Sequence, residues 1–156
     1  MSDHIQLIRK KLDHLQRMQT YLAYSLEQAR RIVPIDSWTD LTPGQHEALA
    51  AFRIRFSEYQ EHLGKAMRAV AIEEEQRTEP FTAILLYMEK LGIIESAQLW
   101  KELRELRNAI NHEYEENPQR LAGFFLDLVQ SAPTLMDWHR RLIEFCRHNY
   151  GHCDGV

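Results

Sequence analysis

Apolar residues recur at spacings of three and four along nearly the whole chain. Ile5, Ile8, Leu12, Leu15, Leu22, Leu26 and Ala29 alternate with charged positions such as Arg9, Lys10, Asp13, Arg17 and Glu27, which predicts a long amphipathic helix over 3–32. Pro34 and the segment 35–40 interrupt it, and Thr42-Pro43-Gly44 has the form of a helix start, with a hydroxyl cap followed by a proline in the first turn. A second helix carries Leu49, Phe52, Phe56, Tyr59, Leu63, Met67 and Val70 on one face and runs into the polar helix end Glu73-Glu74-Glu75. Glu79-Pro80 opens a short third helix through Leu91, stopped by Gly92. Ser96 begins a fourth, with a buried stripe of Leu99, Leu103, Leu106 and Ile110. Asn117-Pro118 caps and starts a fifth, through Leu121, Phe124, Phe125 and Leu128, and Pro133 is expected to separate it from a sixth with Met136, Trp138, Leu142 and Phe145. No segment alternates with period two for long enough to form a strand. The expected fold class is all-α, a bundle of about five to six helices, with 1–150 as one domain and 151–156 as a tail. Trp38, in the irregular stretch between the first two helices, is expected to bury as a satellite of the core.

Composition narrows the class. Six Gly and five Pro in 156 residues favour long helices over many short strands. The apolar run Ile5-Gln6-Leu7-Ile8 meets Arg9-Lys10-Lys11 at once, so neither a signal peptide nor a membrane span is expected. Two cysteines give no disulfide framework, which makes a cytoplasmic setting the default. The net charge of −4 requires any nucleic-acid site to be a local patch, and the first helix shows no continuous basic stripe. Arg30-Arg31 and Arg140-Arg141 read as solvated faces that extend an RNA track only if they lie beside it. Cys146, His148, His152 and Cys153 are zinc-binding types, but the spacing C-x-H-x3-H-C matches no common structural zinc pattern, so no metal and no cofactor are expected. Phosphate-binding glycine loops, nucleophile elbows and H-E-x-x-H pairs are absent, which leaves oxidoreductase and ordinary hydrolase classes without support.

The candidate chemistry sits late in the fourth helix, in Arg107-Asn108-Ala109-Ile110-Asn111-His112-Glu113-Tyr114. At about 100° per residue, Arg107, Asn111 and Tyr114 share one face, while Asn108 and His112 form a pair on the adjacent strip with Arg104 one turn before Asn108. Arg107 and His112 stand about 140° apart on a regular helix, so one helix does not easily aim both at a single phosphate. A homodimer that crosses two such helices removes the difficulty, and so does a helix that unwinds at its end. Cleavage of RNA without metal needs a proton acceptor or donor near neutrality, which the His112 imidazole offers, and a fixed cation for the phosphorane, which the Arg107 fork offers. Asn108 is placed to hold the ring or the substrate, and Tyr114 offers a hydroxyl for phosphate or for modification.

The string Trp100-x2-Leu103-Arg104-x2-Arg107-Asn108-x3-His112-x-Tyr114 resembles the signature helix of HEPN domains, and its R-x4-H-x-Y form is similar to HepT-type toxins. Phe52-Arg53-Ile54-Arg55-Phe56 and the order of helices resemble nucleotidyltransferase-associated HEPN proteins, from the second helix through the fifth. The resemblance implies a homodimer in which two R-x4-H motifs form a composite endoribonuclease cleft. Arg107, His112 and Asn108 would be its catalytic residues, with Arg104 and Asn111 binding substrate. It also implies a cognate minimal nucleotidyltransferase antitoxin that transfers AMP to Tyr114. A non-catalytic HEPN protein that binds a nucleotidyltransferase or its nucleotide is the alternative. Plainer roles stand beside these: His112 at a helix end interacting with the dipole, Tyr114 as a core or interface aromatic, and the whole chain as a structural bundle.

Overall fold

The computed structural model describes residues 2–151, the Glu115 side chain excepted. Five α-helices account for the architecture: α1 (Asp3–Arg30), α2 (Pro43–Glu73), α3 (Phe81–Lys90), α4 (Ala97–Glu116) and α5 (Leu121–Tyr150). Short 3-10 turns at Trp38–Asp40 and Pro118–Arg120 lie in the connections before α2 and α5, and the described residues contain no strand.

Local chemistry sets most of the boundaries. Thr42 and Gln45 form a reciprocal cap, with the Gln45 amide donating to Thr42 Oγ1 at 3.1 Å and the Thr42 amide donating to Gln45 Oε1 at 2.9 Å. Ser96 Oγ accepts from the Leu99 amide at 3.0 Å and starts α4. Gly92 ends α3 with φ +76°, a left-handed conformation that costs glycine little. The Asn117 side chain caps nothing; its amide closes α4 by donating to the Glu113 carbonyl at 2.9 Å.

α1 and α2 lie antiparallel and make the most extensive helix pairing in the molecule. His4 Nε2 at one end of α1 meets the Ala69 carbonyl near the far end of α2 at 2.8 Å. Between them Ile8, Leu12, Leu15, Leu22, Leu49, Phe52, Phe56, Leu63 and Met67 are all buried, each contributing roughly 1.5–3 kcal/mol relative to exposure. Ser25 is the polar exception on α1, and Arg55 of α2 donates to its Oγ at 2.7 Å.

The expected break at Pro133 does not occur: α5 runs unbroken from Leu121 to Tyr150 with Pro133 inside it. Val129, Ala132, Leu135 and Trp138 are buried on either side of the proline, so packing holds the axis through the lost backbone hydrogen bond. The buried stripe of α4 is also turned from the expected one. Trp100, Leu103 and Ile110 are buried, whereas Leu99 and Leu106 are only partly covered. Glu113 continues the stripe and is answered by Arg120 at 3.3 Å.

Among the described residues no helix is long and apolar enough to cross a membrane, and no group of three or more His, Cys, Asp and Glu is placed to hold a metal ion. Cys146 is buried. His152 and Cys153 of the tail cluster lie outside the described residues.

Candidate functional site

α4 runs beside α2, and three residues of the motif helix face it. Arg107 donates from Nη1 to the Ser57 carbonyl at 2.6 Å. One turn earlier on α2, Arg53 donates to Asn111 Oδ1 and lies over the Tyr114 ring, 4.5 Å from its centroid. Arg107, Asn111 and Tyr114 therefore share a face, with Arg53 and Ser57 as the counterpart on α2. Tyr114 is half-buried, and Trp38 and Phe125 present ring edges to it at 5.7 and 6.1 Å. Burial raises the Tyr114 hydroxyl above its ordinary pKa, and the neighbouring Arg53 works against that rise.

His112 points elsewhere. Its side chain is 60% exposed and its Nε2 lies 3.3 Å from Glu116 Oε2, one turn on along the same helix. Asn108 is exposed as well. The fold thus separates the motif into two parts: a cation packed against α2, and an imidazole and an amide at the surface.

Arg107 enters a cleft of about 280 Å³ between α2, α3 and α4. Arg104 stands at the same cleft, so two guanidiniums of the motif helix converge there beside Arg68 and Lys65 of α2. Burial lowers the Arg107 pKa, Glu61 opposes that, and the like charge of Arg104 adds to it. An anion in the cleft would relieve that crowding. The wall is shaped by Gly64, because a Cβ there would come within 3.3 Å of both Phe81 and Trp100.

Gln60 lines the same cleft and is only 1% exposed. Its Nε2 donates to the Trp100 carbonyl at 3.2 Å, while its Oε1 has no partner among the described residues. A buried amide oxygen without a donor is costly.

Trp38 is a satellite of the core: half-buried, stacked on Phe125 at 5.6 Å and edge-on to His46 at 4.9 Å. Arg53, Gln60 and Arg68 are the residues sequence reasoning did not single out as part of a site. Gln60 left a signal, as an amide next to Tyr59 on the buried side of α2, and Arg53 stood in the Phe52–Phe56 segment without a role assigned; Arg68 left none beyond its charge. Set against family models, curated proteins and solved structures, the chain matches none.

Proposed function

We propose that the chain is a HepT-like HEPN toxin, a metal-independent endoribonuclease of the cytoplasm that works as a homodimer. The observation that supports this reading is the division of the motif within one protomer: Arg107 bound to the Ser57 carbonyl and facing the cleft, His112 exposed beside Glu116. Each half lacks the other's chemistry, and a second copy would supply it at a two-fold interface. In the reaction, a ribose 2′-hydroxyl attacks the adjacent phosphorus, giving a 2′,3′-cyclic phosphate and breaking the bond to the 5′-oxygen. His112 takes the hydroxyl proton or returns one to the leaving oxygen, and Arg107 meets the charge on the equatorial oxygens. Asn108 orients the ring or the substrate, while Arg104 and Asn111 bind neighbouring groups. Transfer of AMP from ATP to the Tyr114 hydroxyl by a cognate nucleotidyltransferase, with pyrophosphate leaving and the hydroxyl proton released, would place phosphate and adenosine beside Arg53 and close the site.

A second reading is favoured by the cleft. Its convergent cations and buried amide suit a non-catalytic HEPN protein that holds a nucleotide for, or docks to, a nucleotidyltransferase.

Two measurements separate them. His112→Ala should lower RNA cleavage at least 100-fold with the fold intact, because the side chain is exposed and packs against nothing in the core. Co-expression with the nucleotidyltransferase encoded alongside should add AMP mass to the wild type and none to Tyr114→Phe. Full cleavage by His112→Ala removes His112 from the mechanism; absent cleavage and absent mass gain in the wild type leave the binding module.

A further inference from the structure

The cleft at Trp100 does not end at Lys65. That residue also lines a second depression of about 250 Å³, whose other walls are Lys10, Lys11 and His14 of α1 and His62 of α2. His14 and His62 meet edge to face there at 4.8 Å. The two depressions lie next to each other with Lys65 lining both, and together they make a stepped groove lined from α1, α2 and α4. Six of the chain's 19 Lys and Arg residues line it: Lys10, Lys11, Lys65, Arg68, Arg104 and Arg107. One carboxylate, Glu61, lines the first depression with these cations, and Glu79 lies beside Arg68. Glu61 lies 3.7 Å from Lys65 with both side chains more than half exposed, and Glu79 meets Arg68 at 2.9 Å. Exposed pairs of this kind are weak and exchange readily for a stronger anion. On a chain of net charge −4, such a concentration of cations is a local field of opposite sign to the whole.

Charge alone does not choose the anion; the Trp100 end does. Gln60 holds an unmatched carbonyl oxygen at the cleft wall, fixed by its bond to the Trp100 carbonyl. Phe81 presents a half-buried ring at the same place, with the Arg68 guanidinium 5.7 Å from its centroid. A cationic track that ends on an aromatic ring and a fixed hydrogen-bond acceptor matches one strand of nucleic acid, whose bases carry both a flat face and N–H donors. A run of Asp and Glu side chains would use the cations and could offer a backbone N–H to the amide, but it has no flat face for the ring.

We infer that this groove binds single-stranded RNA along its phosphates, from Lys10 and Lys11 across Lys65 to Arg104 and Arg107, with one base seated against Phe81 and Gln60. The choice of RNA rests on the ribonuclease reading and deepens it, since Arg107 is the point where the groove delivers the backbone to the motif helix. The track itself lies apart from His112 and Asn108.

The test is fluorescence anisotropy with a labelled 2′-O-methyl oligouridylate of about 15 nucleotides, which binds without being cleaved. Lys10→Glu/Lys11→Glu and Lys65→Glu should each weaken binding at least tenfold and flatten the dependence of log Kd on log salt. Gln60→Leu should weaken it several-fold with the salt slope unchanged. Arg30→Glu/Arg31→Glu, equal in charge change and placed at the other end of α1, should do no more than general repulsion predicts. Equal losses in the Lys10/Lys11 variant and this control would overturn the groove. So would displacement of the oligonucleotide by ATP at matched phosphate concentration, which would reduce the site to a pocket for one nucleotide. A separate cleavage assay on unmodified RNA keeps the two readings distinct: binding without cleavage leaves the groove and removes the nuclease, and cleavage without groove binding does the reverse.

Discussion

Tyr59 and His139 place a hydroxyl and an imidazole 2.7 Å apart inside the bundle, both fully buried. Tyr59 Oη meets His139 Nδ1, and His139 Nε2 has no partner among the described residues. Burial holds the imidazole down to about 4 and pushes the Tyr59 hydroxyl up, so both are neutral at pH 7. In the unfolded chain the same histidine takes a proton near pH 6.5. Between those values the unfolded state binds the extra proton, so stability falls as pH falls from about 6.5 towards 4 and then levels. The loss is of the order of 3 kcal/mol at most. Urea unfolding at pH 7 and pH 5 should show this for the wild type, and Tyr59→Phe/His139→Leu should lose less over the same interval. Equal pH losses in the two proteins would show that His139 titrates normally. The pair was only half legible in the sequence. Tyr59 stood on an evident apolar face, but nothing local says that a histidine of α5, 80 positions on, lies opposite. The motif residues were more legible, because helical spacing alone puts Arg107, Asn111 and Tyr114 on one side and His112 on another. What spacing does not tell is which side meets α2.

Helix starts and stops are read from the sequence where a backbone group finds its partner within a few residues. Thr42 with Gln45, Ser96 with the Leu99 amide, and Gly92 after α3 are all of this kind. Pro133 is the counter-example, since its effect depends on distant packing. Leu128, Val129, Ala132, Leu135 and Trp138 are buried around it, and Trp138 is also tied through its Nε1 to the Glu95 carboxylate and stacked on Trp100 at 5.7 Å. Those contacts outweigh a missing N–H and the crowding of the proline ring against the preceding turn. α5 therefore carries a local defect that its packing overrides. Pro133→Ala should restore a donor for the Val129 carbonyl and raise stability by about 1 kcal/mol, less than the intrinsic preference because the unfolded chain gains freedom. Thermal unfolding measures it, and a lowered melting temperature would mean that the site is shaped around the ring.

At the scale of the whole molecule, an acidic chain brings six of its 19 cations to one pair of neighbouring depressions. That gathering was not legible, because Lys10 and Lys11 reach Lys65 only through the antiparallel pairing of α1 with α2. The divided motif has a counterpart at this scale. If Arg107 of one copy serves His112 of the other, Arg107→Ala and His112→Ala proteins should each be inactive alone, and mixing them after subunit exchange should restore about a quarter of wild-type cleavage. Half the dimers are then mixed, each with one intact site; no recovery would mean that each protomer must supply both groups. The connector 31–42 adds a different property. Trp38 ties it to Phe125 and Tyr114, and Ile35 and Leu41 pack on the core beside it. Exposure of Tyr114 and order in that connector are thus linked equilibria. A partner that draws the connector away uncovers one side of the tyrosine, and by reciprocity a group attached to the tyrosine loosens the connector by the same free energy, so the segment between α1 and α2 can report the state of α4 to whatever binds there.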